Sequence, residues 1–442
     1  MMKTVQMFNA KQASNDSNPN MDVDTSIEGQ SNSTTGFWPF VILMAMIFSL
    51  SPFAIDMYLP ALPSMAAFFD STIDNMEASV SIYLIFFALG QLVLGALADS
   101  INKAKLLIVG LSVFAVSSFM IALTNTVEEL YFWRAAQAFS SGSSVVVFAL
   151  IHSFYGNQKS NQIISYVMAC VVIAPMIAPM IGSQVLAIGE WQWIFFVLAG
   201  FAIITLMSQM ALIPPKKVSS VPQPLNFTAL GKGYKSVFSN SMTMAYILAG
   251  GSAFAGMFAF VAGSPFVYIE YFGVSPTQFS WLVALNAVAM IAMNLINARL
   301  LKGVDPTKKL IVAGALLSMV GVYLATVAYL QLPLVFVVAG VVTYVGLLGL
   351  TATNAISAAL ASAQGNAGVL SGVNGVLQFG LGALSSMVVS LSKSIDASTM
   401  NYTMAVCSLF TLLFVSILHV KTRNLKHVLS LVLDHHQSLS KN

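Results

Sequence analysis

Charge is the first thing this chain lacks. Of its 442 residues, 8% are Asp, Glu, Lys or Arg, while 57% are hydrophobic and the mean hydropathy is +0.82. Soluble domains carry about a quarter charged residues. So little charge cannot cover a water-facing surface, which excludes a soluble globular domain and predicts a polytopic membrane protein. Cysteine is nearly absent as well. Cys170 and Cys407 lie far apart in apolar stretches, so neither a disulfide framework nor a thiolate metal site is expected, and both read as small hydrophobes. No GxxxxGK[ST] occurs, which argues against direct ATP drive by this chain. No His/Cys/acid cluster suggests a metal, and no nucleophile, base and acid group as they would in an enzyme. Of the five histidines, His152 ends an apolar run, and His419, His427, His435 and His436 fall near or beyond the last one. The net charge of +3 says little by itself, and no nucleic-acid partner is expected.

What the chain has in abundance is apolar length. Twelve runs stand out, near 38–64, 78–98, 105–124, 130–152, 163–187, 192–213, 242–265, 278–298, 310–330, 334–360, 367–391 and 401–420. Each is about the length that crosses a hydrocarbon core as a helix. Residues 1–36 are rich in Asn, Ser, Asp and Thr and read as a disordered cytoplasmic tail. No apolar h-region follows Lys3 before Phe37, so a cleaved signal peptide is not expected. With the N-terminus in the cytoplasm, every Lys and Arg except Lys393 and Arg134 falls on the inner side. Asp70, Asp74, Glu77, Glu128, Glu129, Glu190, Glu270 and Asp396 then lie on outer loops. A wrong span count would scramble this alternation, so both termini are expected inside. The basic linker 214–241, with Lys216, Lys217, Lys232 and Lys235, divides a half at 37–213 from a half at 242–420, and 421–442 forms a cytoplasmic tail. The expected fold is all-α, with 12 transmembrane helices in two six-helix halves, the layout of the major facilitator fold.

Asp56 is the only ionisable residue between Trp38 and Met57. A carboxylate inside a span costs several kcal/mol as an ion, so an intramembrane acid marks a functional site by default. The competing reading puts Asp56 in the headgroup layer, solvated and inert. Arg134 lies five residues after Glu129, so both charges fall in the outer half of their spans. An Arg within the membrane needs a partner, and Asp56 is the candidate in that half. Protonating Asp56 would break such a pair, and a substrate could do so by competing for the carboxylate. The alternative is a static structural ion pair.

Five stretches carry a family resemblance: IDMYLPALP at 55–63, GALAD at 95–99, RAAQ at 134–137, APMIAPMIG at 174–182 and AGMFAFVAGSPFVYIE at 255–270. From about residue 37 to 420 the chain resembles the bicyclomycin/chloramphenicol-resistance (Bcr/CflA) drug:proton antiporters. The resemblance implies coupling and drug-recognition roles for Asp56 and Arg134. No acid lies about two turns before Asp56, where some multidrug relatives carry one; Phe48 and Ser49 stand there instead.

GALADSINKAK is a reduced form of the superfamily's loop motif. Gly95 is expected to allow close helix contact, Asp99 to cap a helix or pair with a base, and the whole to act as an inner gating latch. APMIAPMIG resembles the antiporter motif. Pro175 and Pro179 each delete a backbone donor, and Ala174, Ala178, Gly182 and Ser183 form a small-residue ridge expected to pack on the other half.

The substrate cavity is expected to draw on Tyr58, Tyr83, Phe87, Phe254, Phe258, Phe260, Phe266 and Tyr268. Polar candidates are Gln137, Asn286, Asn354, Asn374 and Gln378, the last two sharing one helix face. Packing or lipid contact is the competing reading for each aromatic. The resemblance implies a monomer in the bacterial inner membrane that exports small amphiphilic drugs against protons, with the proton as coupling ion and no other cofactor. A proton-coupled facilitator of a nucleoside, amino acid or sugar is the alternative, and a non-transporting sensor or scaffold a third reading.

Overall fold

The computed structural model describes residues 36–98, 101–218, 231, 235–362, 367–392 and 396–439. Helix α1 (Phe37–Asp56) runs into a 3-10 turn at Leu59–Ala61 and the short α2 (Leu62–Phe68). Helices α3 (Ile73–Leu97), α4 (Lys103–Ile121), α5 (Val127–Ser141), α6 (Val146–Ile188) and α7 (Gln192–Leu212) complete the first half. The second half holds α8 (Ser241–Ser264), α9 (Pro276–Arg299), α10 (Pro306–Tyr329), α11 (Leu334–Ser362), α12 (Ala367–Leu391) and α13 (Ser398–Leu439). No strand occurs among the described residues.

Apolar composition makes these helices: in hydrocarbon, only a helix or a closed barrel satisfies every backbone polar group within itself. Polar residues start them. Thr72, Asn102, Thr126, Asn240 and Asp305 each accept from backbone amides of the following first turn, and Ser275 with Gln278 closes a full capping box. Eleven helical stretches among the described residues are long and apolar enough to cross a membrane.

The fifth expected run lies inside α6, where Ile173–Ile188 is a shorter apolar stretch. Helix α6 is assigned continuously, yet it cannot be straight. Ser160 Oγ donates to Ile151 O at 3.2 Å, nine residues away, where a straight helix would separate them by about 13 Å. Tyr155 and Tyr166 also both reach the ring of Phe37. The chain therefore doubles back between Ile151 and Ser160, and the two arms of α6 run against each other.

Two seams join the halves. Helix α3 packs along α12, with Ser81 and Ser386 sharing a hydrogen bond of 2.7 Å, and α6 packs along α9, where Ser280 donates to Pro179 O at 2.8 Å. All four of these residues lie toward the end that carries Asp74, Glu77 and Glu270, called the acidic end below. Lys103, Lys105, Lys302, Lys308 and Lys309 mark the opposite, basic end.

Five expected loop acids belong to helical elements, Glu270 among them in the π-helical turn Pro265–Tyr271. Asp74, Glu128 and Glu129 occupy first turns, where the helix N-terminus favours negative charge. Glu77 lies one turn deeper and is 1% exposed. The tail expected at 1–36 falls, except for Gly36, outside the described residues, as does most of the linker. At the far end the backbone of α13 stays helical to Leu439.

Close backbone approach also differs from expectation. A Cβ at Gly95 would meet Val145 at an ordinary 3.6 Å, so glycine is not required there. The tight crossing lies between α3 and the end of α5, where a Cβ on Gly90 would strike the Phe139 carbonyl and one on Gly142 the backbone of Gly90. Gly182 is the third such point: its Cβ would run into the Met57 carbonyl. Gly182→Ala should cost about 1–3 kcal/mol through overpacking. Gly200→Ala, with nothing within 4 Å of the added carbon, should be neutral or slightly stabilising. Thermal unfolding followed by circular dichroism in detergent distinguishes the two.

Candidate functional site

The Thr126 cap starts α5 and sends Arg134 inward two turns later, where it is 0% exposed. Its guanidinium meets three kinds of partner. Nη1 donates to the Ala54 carbonyl at 3.0 Å and to Gln137 Oε1 at 2.7 Å. Ala54 lies in the last turn of α1, where carbonyls lack intrahelical donors. Gln137 passes the polarity on: its Nε2 donates to Ser118 Oγ at 2.7 Å, and Ser118 donates to the Phe114 carbonyl. The faces of the cation rest on rings, with Cζ 4.3 Å from the centroid of Tyr58 and 4.6 Å from that of Tyr83.

Both tyrosines are fixed by their hydroxyls. Ser79 spends its proton on the Met76 carbonyl, so Tyr58 donates to Ser79 Oγ at 2.9 Å. Ser141 donates to Ala138 O, so Tyr83 donates to Ser141 at 3.0 Å and accepts from Ser51 at 3.2 Å. A cage of four helices thus holds one cation. Among the described residues, Nε and Nη2 of Arg134 have no hydrogen-bond partner.

Asp56 is buried, 8% exposed, two residues beyond the carbonyl that Arg134 holds. Among the described residues, however, no ion pair joins Asp56 to Arg134, which corrects the sequence expectation. Helical geometry gives the reason. Ser51, Ala54 and Tyr58 share one face at spacings of three and four, and this face receives the guanidinium. Asp56, two residues from Ala54, is about 200° round the axis, on the face of Phe53, whose ring packs on Phe201 of α7. The two charges share a depth without facing each other.

The expected cavity residues divide into groups. Tyr58, Tyr83 and Gln137 gather round Arg134. Phe87 stacks on Tyr83 and meets Phe379 of α12 edge-on at 4.6 Å, and Phe379 touches Phe258 of α8. An aromatic bridge therefore crosses from one half to the other. Asn374 and Gln378 are half-buried on α12, 3.4 Å apart, and Gln91 Oε1 lies against Gly375 between them. Phe254 is half-buried in α8, and Phe266 lies away from this group at the acidic end. Two surface grooves, about 360 Å³ beside α10 and α13 and about 570 Å³ along α6, contain none of these residues.

Sequence reasoning missed Gln91 and Phe379. Gln91 was findable, as an amide within an apolar run one helical turn after Phe87. Phe379 carries no signal that separates it from other span phenylalanines.

Of the gating residues, Pro179 offers its carbonyl across the halves to Ser280, whereas Gly182 packs on Met57 within its own half, not on the other half as expected. Pro175 sits inside α6, half-buried, and Asp99 lies outside the described residues. No group of three His, Cys, Asp or Glu among the described residues could hold a metal.

The cage makes a stability prediction. Gln137→Leu removes one of two acceptors from a buried cation and should destabilise the protein by about 2 kcal/mol, against about 1 kcal/mol for Tyr83→Phe, which loses a neutral bond. Chemical unfolding in detergent measures both.

Comparison with known proteins places this geometry. The sequence profile of the Major Facilitator Superfamily matches residues 44–387. A bicyclomycin resistance protein homolog of Haemophilus influenzae is 27% identical over 390 residues, covering 88% of this chain and 97% of that one. Multidrug resistance protein MdtL of Klebsiella pneumoniae is 24% identical, covering 84% and 94%. Among solved structures, a D-xylose-proton symporter superposes with a TM-score of 0.69 at 12% identity, covering 86% of this chain and 97% of that one. XylE of E. coli, a xylose transporter in a partially occluded inward-open conformation, gives 0.65 at 12% identity, covering 85% and 96%. With its profile matched over most of its length, its helices paired in two halves and a cation caged within the first half, this chain belongs to the Major Facilitator Superfamily of multi-pass membrane transporters.

Proposed function

We propose that this transporter is a proton-coupled antiporter that exports small amphiphilic molecules of the amphenicol or bicyclomycin kind across the bacterial inner membrane. It crosses the membrane twelve times as a monomer, both termini in the cytoplasm and the acidic end outward. The reversal within α6 supplies the twelfth crossing, and the clustering of lysines at the basic end supports the orientation.

The observation that carries this reading is a fully buried Arg134 with two unpartnered donors, at the depth of a buried Asp56 that does not neutralise it. A static structural pair would be closed. An open one has a use: Asp56 takes a proton or a substrate while Arg134 rests on Ala54, Gln137 and the two tyrosines. Proton arrival and substrate departure then exchange at one carboxylate, and that exchange is antiport. The bicyclomycin-resistance and multidrug names of the relatives point to drug-like cargo. The aromatic bridge of Phe87, Phe379 and Phe258, flanked by Gln91, Asn374 and Gln378, suits an apolar molecule with a few amide or hydroxyl groups.

Expressed in a pump-deleted bacterium, the wild type should lower chloramphenicol accumulation, and a protonophore should abolish that effect. Asp56→Asn should remove it at equal expression. Accumulation unchanged in every arm would exclude amphenicol export.

A further inference from the structure

Two of the five stretches that carry the family resemblance, IDMYLPALP and the GSPFVYIE end of the last, meet at the acidic end. The first forms the 3-10 turn at Leu59–Ala61 and the start of α2. The second forms Pro265–Tyr271, a π-helical turn closing α8, and the two turns pack on each other across the halves. Pro265 brings no amide, and the turn widens to backbone bonds from Phe272 to Val267 and from Val274 to Tyr268. Wide turns of this kind recur at functional sites in helices.

Glu77 of α3 lies against this joint. It is 1% exposed, and among the described residues no side chain bonds to either of its carboxylate oxygens. The backbone amide of Phe266 on the π-turn lies close enough to favour the charged form in part. The charged groups near enough to act on it are Asp74, one turn back on its own helix, and Glu270, on the π-turn. Both are acids, so neither stabilises a carboxylate ion. No ordinary packing role asks for an acid here, because an unpaired buried ion is costly and a glutamine would fill the same space.

We infer that Glu77 is a second proton-binding site, distinct from Asp56, which holds the two halves together at the acidic end when protonated and lets them part when ionised. The proton arrives from the water at that end, where Glu270 is exposed, and bonds to a Glu77 carboxylate oxygen, leaving the side chain neutral in the closed joint. Losing it places a third negative charge beside Asp74 and Glu270, and the π-turn separates from α3. The inference deepens the antiport reading and rests on it for its place in the cycle: outside protons would license closure of the outward end after cargo has left.

Hydrogen–deuterium exchange of the full chain in lipid nanodiscs tests this without any transport measurement, so failure here is distinguishable from failure of drug export. Wild type and Glu77→Gln are compared at about pH 6 and again at about pH 8.5, so the intrinsic pH dependence of exchange cancels within each pair. Peptides spanning 73–84 and 263–275 report on the joint. The two proteins should match at the lower pH, which also shows that the variant folds. At the higher pH the wild type should exchange several-fold faster in both peptides, while Glu77→Gln stays protected. Equal exchange at both pH values would overturn the inference. So would faster exchange of the variant at the lower pH, which would make Glu77 a packing residue only.

Discussion

A guanidinium enclosed in an apolar bundle has to be solvated by the protein, because neither water nor lipid will do it. Around Arg134 this requirement organises much of the first half. Helix α1 supplies the Ala54 carbonyl, α5 supplies Gln137, α4 takes up the relay at Ser118, and Tyr58 and Tyr83 provide the faces. Each tyrosine is then anchored by a serine, so a single charge specifies the mutual placement of several helices. Carbonyls and rings serve where a carboxylate would neutralise the cation, so the guanidinium is held without an ion pair to Asp56.

The tight crossings serve the same end. Gly90 and Gly142 bring α3 and the end of α5 to backbone contact, which lets Ser141 reach Tyr83. Gly182 sets the second arm of α6 on Met57, directly beside Asp56 in the chain. The small residues thus fix the distances on which the polar cage depends. Between the halves the interactions are of another kind: single hydroxyl bonds, at Ser81 with Ser386 and Ser280 with Pro179, and aromatic edges. Such contacts are individually weak, about 1 kcal/mol each, and suit a seam that must open and close. Both seams are nonetheless closely packed, α3 along α12 and α6 along α9, so the halves meet over the length of two helix pairs.

Much of the fold was legible from composition and charge placement. Apolar runs of spanning length have one outcome in a bilayer, and lysines that alternate between loops record which side each loop faces. Even the doubling back of α6 was readable from two separate runs at 130–152 and 163–187. The buried charges were legible by cost: Asp56 and Arg134 are expensive where they stand, and expense needs no structure to be seen. Glu77 escaped because the same logic, applied at a span boundary, credits an acid to the loop. Whether a boundary residue points to water or into a seam depends on the neighbouring half.

What the sequence by itself determined is the class of protein, an all-helical chain with many membrane-length apolar runs, and the identity of its costly charges, because these follow from transfer free energies that each residue carries with it. Only the tertiary structure decided which groups meet. Helical phase put Ala54 and Tyr58, not Asp56, before Arg134, and packing across the halves joined Phe87 to Phe379 and shut Glu77 against the π-turn. Pairing depends on rotation about helix axes and on contacts between residues hundreds of positions apart, and neither is written in the local pattern of the chain.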